Sequence, residues 1–167
     1  LPALVESFLA QNKQIVLIGD NRHLPYETMS ADFLPGHDRA VIKIGEGCNQ
    51  NCTYCIIPKA RGEVRSKPLE DIEAEAESLS KAGFVEIVLV GINLTSYGKD
   101  IGLNICDAVN AAAKPEGIKR VRLGSLEPDH ITDETLDALK NQKKLCPQFH
   151  LALQSGSDAT LKRMNRH

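Results

Sequence analysis

Three of the five cysteines lie in one short stretch, Gly47-Cys48-Asn49-Gln50-Asn51-Cys52-Thr53-Tyr54-Cys55, at the spacing C-x3-C-x2-C. A disulfide would pair two of these thiols and leave one over, whereas a zinc ion or an iron-sulfur cluster takes several thiolates from one loop. Four-cysteine zinc sites are commonly built from two C-x2-C knuckles, and no second knuckle exists here. Cys106 and Cys146 are each isolated in the sequence. Three ligands on a tight loop point to a four-iron cluster with one iron open to a small molecule. A structural zinc, or a set of buried thiols, is the alternative.

The loop sits inside a strand-helix alternation that begins at Arg39. Residues 40–44 read as the first strand, and the cysteine loop follows it directly. Pro68 opens a helix, with Glu70 and Asp71 placed well for its dipole. Leu69, Ile72, Ala76 and Leu79 give that helix one buried face, and Gly83 stops it. Residues 85–90 form a continuous apolar run, as expected of a parallel strand covered on both faces. Ile105, Ala108, Val109 and Ala112 mark the next helix, and residues 119–124 the third strand. Thr132 is placed to cap a helix with Ile131 and Leu136 as a staple pair and Leu139 on the buried face. Residues 149–153 are the fourth strand, and Ser157 is placed to cap a last helix carrying Leu161 and Met164.

Four successive β-α units imply an α/β fold with right-handed parallel connections, curling toward a barrel. Active sites of such barrels lie in the loops after the strands. Here those are the cysteine loop and residues 91–97, 124–128 and 154–157. Ahead of the alternation, Leu4, Val5, Phe8 and Leu9 have helical spacing and residues 14–18 read as a short strand. Residues 20–38, with Pro25, Pro35 and Gly36, read as a connector.

C-x3-C-x2-C with an aromatic before the third cysteine resembles the signature of radical S-adenosylmethionine (SAM) enzymes. The blocks "RAVIKIGEGCNQNCTYCIIPKARGEVRSKP", "RLGSLEP" and "LALQSGSDATLKRMNR" resemble the methylthiotransferases of that superfamily. The branch acting on N6-threonylcarbamoyladenosine of tRNA is the most similar. Branches acting on isopentenyl-adenosine or a ribosomal-protein aspartate are the alternatives, and a non-enzymatic metal-binding module is the rival of another class. The resemblance implies a partial parallel (β/α) barrel of the radical SAM type. About four units of it would lie in residues 38–167, after a remnant of a preceding α/β domain and linker in residues 1–37.

That family uses a [4Fe-4S] cluster on Cys48, Cys52 and Cys55, whose open iron chelates SAM and whose electron yields a 5′-deoxyadenosyl radical. A second [4Fe-4S] cluster, expected in the full-length protein, carries the sulfur; no cysteine precedes Cys48. By the same resemblance Tyr54 addresses the adenine, and Gly91 and Asn93 lie near the methionine amino group, with Asn93 replacing an acid. Glu127 would meet the ribose or amino group, and Gln154 and Ser155 the ribose. Arg61 would pair with the SAM carboxylate or with RNA phosphate. Implied partners are tRNA and an electron donor such as flavodoxin or ferredoxin.

The structural readings of these residues are plainer. Tyr54 would shield the cluster, Glu127 would be a surface glutamate, and Gln154 and Ser155 would serve a turn. Arg120 and Arg122 share one strand face, lining a lumen or meeting the base. His150 reads as a satisfied structural histidine, and Cys106 and Cys146 as ordinary thiols. Lys59, Arg61, Arg65 and Lys67 against Glu63 make a locally basic loop in a chain of net charge −2.

With 42% hydrophobic and 25% charged residues, the composition is that of a folded globular protein. No run reaches the roughly 20 apolar residues of a membrane span. Clustered thiols without a secretory pattern favour the cytoplasm. An unpaired fourth strand is an edge open to self-association.

Overall fold

The computed structural model describes residues 2–16, 19–20, 24–27 and 38–166. Helix α1 (Pro2–Gln11) forms where the spacing predicts it and buries none of its residues. Residues 14–16 are irregular. The rest of the strand expected over 14–18, and most of the connector including Pro35 and Gly36, lie outside the described residues.

The remainder is α/β, as the alternation predicts. In chain order the elements are β1 (Ala40–Glu46), α2 (Ile57–Arg61), β2 (Arg65–Ser66), α3 (Leu69–Lys81) and β3 (Glu86–Gly91). They continue with α4 (Ile105–Ala113), β4 (Arg120–Leu123), β5 (Ser125–Leu126), α5 (Asp133–Asn141), β6 (His150–Leu151) and α6 (Asp158–Arg163). The main sheet has the order β2-β1-β3-β4, with β1, β3 and β4 parallel and β2 antiparallel at the edge.

The core lies on one face of this sheet. Register pairs Ile42 with Leu89, Leu89 with Leu123 and Ile87 with Val121, so these side chains form two adjacent buried rows on one face. Against it pack Ile72, Ala76 and Leu79 of α3 and Ile105, Ala108, Val109 and Ala112 of α4. Each buried Ile, Leu or Val contributes about 1.5–3 kcal/mol relative to exposure. The alanines of α4 are small enough to let α3 lie close beside it.

The opposite face differs from the expectation of a strand covered on both sides. Val88 and Val90 are only half-buried and Val41 is exposed, because both helices that follow β1 and β3 lie on the other face.

Local chemistry sets the element ends. Gly83 follows α3 with φ +93°; its N–H donates to Ser80 O at 3.0 Å, and Phe84 N–H donates to Leu79 O at 3.1 Å. This is a Schellman end, sealed by buried Phe84 and Leu79. A capping box at α4 joins Asn104 and Asp107, and Thr132 Oγ1 accepts Thr135 N–H at 3.3 Å. Two expected devices are absent in part. Ser157 stands at the start of α6 without a side-chain cap bond. Of the staple pair, Ile131 packs on the core while Leu136 is 44% exposed.

The third and fourth strands are interrupted. Gly124 N–H still donates to Leu89 O at 2.9 Å, but beyond it β5 leaves β3 and pairs with β6, Ser125 with His150 and Leu126 with Leu151. Further back, Val121 bridges Leu145 in parallel. The chain over 144–152 therefore runs beside β4 and β5, as expected of a fourth strand, but ladders only at its two ends. Pro147, with no N–H to give, falls in the gap, and the Arg122 guanidinium bonds the Gln148 side chain there. Among the described residues, no helix is long and apolar enough to cross a membrane.

Candidate metal centre

The cysteine loop leaves β1 at its C-terminal end and returns as β2, with Gly45 paired to Ser66 and Glu46 to Arg65. The sequence pattern predicts neither β2 nor α2. Gly47 takes φ +70°, and a Cβ there would stand 1.8 Å from Glu63 O. Across this neck Cys48 N–H donates to Gly62 O at 3.1 Å, and Val64 N–H donates to Asn49 Oδ1 at 2.9 Å. A turn closed by Cys55 N–H on Cys52 O at 3.0 Å carries the second and third thiols. Cys48 and Cys52 are half-buried and Cys55 is exposed.

Several N–H groups point at these sulfurs. Cys48 Sγ accepts from Gln50 N at 3.4 Å and from Asn93 Nδ2 at 3.7 Å. Cys52 Sγ accepts from Arg166 Nη1 at 3.4 Å. In an iron-sulfur site, donors of this kind help to set the potential. Among the described residues, no three His, Cys, Asp or Glu side chains converge as a single metal ion would require. A four-iron cluster does not need that convergence, because each thiolate binds its own iron. The donor set and its N–H partners fit such a cluster.

The other expected site residues fall at the same end of the sheet, with varied partners. Gly91 stands opposite Gly45 in register. Asn93 is buried; besides reaching Cys48, its Oδ1 accepts the Thr95 hydroxyl at 2.9 Å, so its carbonyl is already engaged. Glu127, just past β5, pairs with Arg166. Tyr54 is 55% exposed. Gln154 adopts φ +60°, an uncommon conformation for a residue with a Cβ, and Ser155 Oγ accepts Ser157 N–H at 3.2 Å.

Arg61 Nη1 lies 3.0 Å from Glu46 Oε1. The Lys43 hydrogen bond, with Arg61 and Arg65 nearby, holds the Glu46 carboxyl below its ordinary value. The locally basic loop is thus partly neutralised: Arg61 has Glu46, and Lys67 is buried against Glu75.

Arg120 and Arg122 share a face, but that face turns them onto Glu86 at the N-terminal end of β3. Arg120 Nε is 2.6 Å and Arg122 Nε 3.2 Å from its carboxylate, away from the strand end that bears the cysteine loop. His150 is exposed, which corrects its reading as a satisfied structural histidine. Cys106 and Cys146 are buried, and burial pushes the Cys106 thiol up.

Sequence reasoning missed four residues. The Gln50 side chain contacts His130 Nε2, and burial, with Lys99 nearby, lowers the His130 pKa. Thr53 ties the loop to the end of α6: its N–H donates to Met164 O and its hydroxyl to Arg163 O, both at 3.1 Å. Arg166 touches both Cys52 and Glu127. It lies in the "KRMNR" block, but only the fold brings that block to the loop.

The family model described as the radical SAM superfamily matches residues 42–167. Over 155 residues the chain is 41% identical to the threonylcarbamoyladenosine tRNA methylthiotransferase MtaB of Thermotoga maritima, covering 92% of this chain and 36% of that protein. It is 44% identical over 131 residues to a tRNA-2-methylthio-N(6)-dimethylallyladenosine synthase of Clostridium botulinum, covering 77% and 29%. The chain thus spans about a third of the length of these curated relatives. Among solved structures, the radical S-adenosylmethionine methyltransferase TsrM of Kitasatospora setae, with tryptophan substrate and aza-SAM bound, aligns with TM-score 0.55. Identity there is 21%, over 74% of this chain and 23% of that one, a likeness of fold alone.

Proposed function

The chain belongs to the radical SAM superfamily, and from that premise we propose that it is the radical SAM core of a tRNA methylthiotransferase acting on N6-threonylcarbamoyladenosine. Residues 38–167 are the core in this reading, and residues 1–37 the end of a preceding domain and its linker. The observation that carries it is the cysteine loop: three thiols, two of them with N–H donors, at the C-terminal end of the parallel strands, in a chain 41% identical to such an enzyme. Bound there, a [4Fe-4S] cluster with an open iron supplies the electron that cleaves SAM.

The chain's own residues bind and orient. Cys48, Cys52 and Cys55 hold the cluster, and Asn93 donates to Cys48. Tyr54, Gly91, Glu127, Gln154 and Ser155 lie at or beyond the C-terminal ends of β1, β3, β5 and β6 and are assigned to SAM. Residues from several strand ends can fix a ligand in one pose, which is what positioning for reaction requires. Arg61 is assigned to the same mouth through Glu46.

The dimethylallyladenosine branch is the second reading, favoured by the 44% identity to its synthase. Methylthiolation in this reading also needs a sulfur-carrying second cluster with thiolates beyond these three, so the assay uses the full-length enzyme. After anaerobic reconstitution it is given tRNA bearing threonylcarbamoyladenosine, or tRNA bearing dimethylallyladenosine, with SAM and a flavodoxin or ferredoxin system. Methylthio product on the first alone is expected. Product on the second alone replaces this substrate with the other. A protein that takes up zinc and stays colourless overturns the enzymatic reading.

A further inference from the structure

Arg166 is placed by a built turn. Helix α6 is capped at its C-terminus by Met164, and Asn165 adopts φ +55°, the left-handed position that Asn tolerates. Asn165 N–H donates to Lys162 O at 3.1 Å and Arg166 N–H to Leu161 O at 3.0 Å, the two bonds of a Schellman end. The turn serves the cysteine loop directly, since Asn165 Nδ2 donates to Asn51 O at 3.0 Å. With the two Thr53 bonds described above, three hydrogen bonds strap the loop to residues 163–165.

That strap delivers a guanidinium to the sulfur. The Arg166 side chain is 8% exposed. One arm reaches Cys52 Sγ at 3.4 Å, and the other pairs with the Glu127 carboxylate. An arginine fork can serve two acceptors at once and hold them in fixed relation. Here the acceptors are a cluster-ligand sulfur and a carboxylate that ends a different strand.

We propose that Arg166 is a positioning residue that sets the charge balance at the Cys52 sulfur, with Glu127 as the counter-anion that limits its effect. This rests on the reading of Cys48, Cys52 and Cys55 as cluster ligands. One-electron reduction adds a negative charge to a cluster, and a nearly buried cation beside a ligand sulfur favours the more negative state. Removing the cation therefore lowers the midpoint potential. Neutralising Glu127 leaves the cation less compensated and raises it.

The test is a redox titration of the reconstituted full chain with dithionite, without SAM, read by the electron paramagnetic resonance of the reduced cluster. Arg166→Gln is expected to disfavour reduction by about tenfold, or about 59 mV for one electron. Glu127→Gln is expected to shift it the opposite way, and Arg166→Lys to fall between Arg166→Gln and the parent. Asn165→Gly keeps the left-handed turn, loses the bond to Asn51, and is expected to retain most of the parent potential. A support role for Arg166 without charge coupling would move both Gln variants in the same direction or leave both unchanged, and either result overturns the proposal. A parent protein that binds no iron overturns the cluster reading itself, which separates the two failures.

Discussion

Gly47 lies so close under Glu63 that a side-chain carbon on Gly47 would sit 1.8 Å from the Glu63 carbonyl oxygen. This contact is the neck of the cysteine loop. The chain enters at Gly47 and leaves past Glu63, and the Cys48–Gly62 and Asn49–Val64 hydrogen bonds hold the two sides together.

Gly47→Ala is therefore expected to open the neck. The left-handed backbone alone costs on the order of 1–3 kcal/mol for a residue with a Cβ, and the obstacle is backbone, which cannot rotate away. Iron bound per chain after reconstitution should fall to a small fraction of the parent value. Gly102→Ala is the control: Gly102 has φ +73° but nothing within 4 Å of its added carbon. It should lose some thermal stability and keep its iron.

Cys106→Ser with Cys146→Ser should leave the iron content unchanged, while Cys52→Ser lowers it. Both outlying thiols are buried, and Cys106 Sγ contacts Thr135 O at 3.7 Å, a bond that ties α4 to α5. The expected cost is stability, about 1 kcal/mol per site for a polar swap that keeps a donor. A double variant with iron as low as Cys52→Ser would place one of the outlying cysteines at the cluster.

The legible parts of this chain were those decided locally. The stripe of Ile72, Ala76 and Leu79 and the stop at Gly83 depend on neighbours within a few residues, and both appear in α3 as read. The cysteine spacing likewise identifies the loop without any tertiary information. Strand β2 was not legible, because its two residues pair only once Gly47 has turned the chain back onto β1. The fourth strand was legible in place but not in form. Its apolar alternation says strand, while Pro147 and the departure of β5 after Gly124 decide where it can ladder. The outer face of β3 read as covered because an apolar run does not say on which side the helices will lie. Arg166 had no local signal at all, since its meaning depends on Cys52 and Glu127, both distant in sequence.

Glu86 gives the fold a pH dependence. Its side chain is 3% exposed and meets Arg39, Arg120 and Arg122. Chiefly through the Arg120 hydrogen bond, its carboxyl is held below the ordinary range. A carboxylate whose folded pKa is depressed adds stability that is fully present above the unfolded value, near 4.3, and is lost as pH falls through the folded value. The melting temperature should therefore begin to drop below about pH 5. Glu86→Gln should lower it at pH 7 by the equivalent of about 1.5 kcal/mol, toward the small end for charged hydrogen bonds because Arg39 and Arg120 are more than half exposed. The variant's acid limb should be shallower; a parallel acid limb would remove Glu86 as its source.

Asn93 separates two roles that the cysteine loop and the family resemblance assign to one position. In the structure its amide group donates to Cys48 Sγ, and its carbonyl accepts the Thr95 hydroxyl. By resemblance it stands where an acid would meet the methionine amino group of SAM. Asn93→Asp sets these against each other. An acid there should strengthen the hold on an ammonium group, but it removes the donor to Cys48 and places a second negative charge beside the thiolate. Since the amide already faces the sulfur, the second effect is expected to win: iron retention under chelator challenge should weaken by roughly tenfold, equivalent to about 1.4 kcal/mol. SAM affinity should be measured by calorimetry on protein matched for iron content. Unchanged iron retention together with tighter SAM binding would transfer Asn93 from the cluster to the substrate.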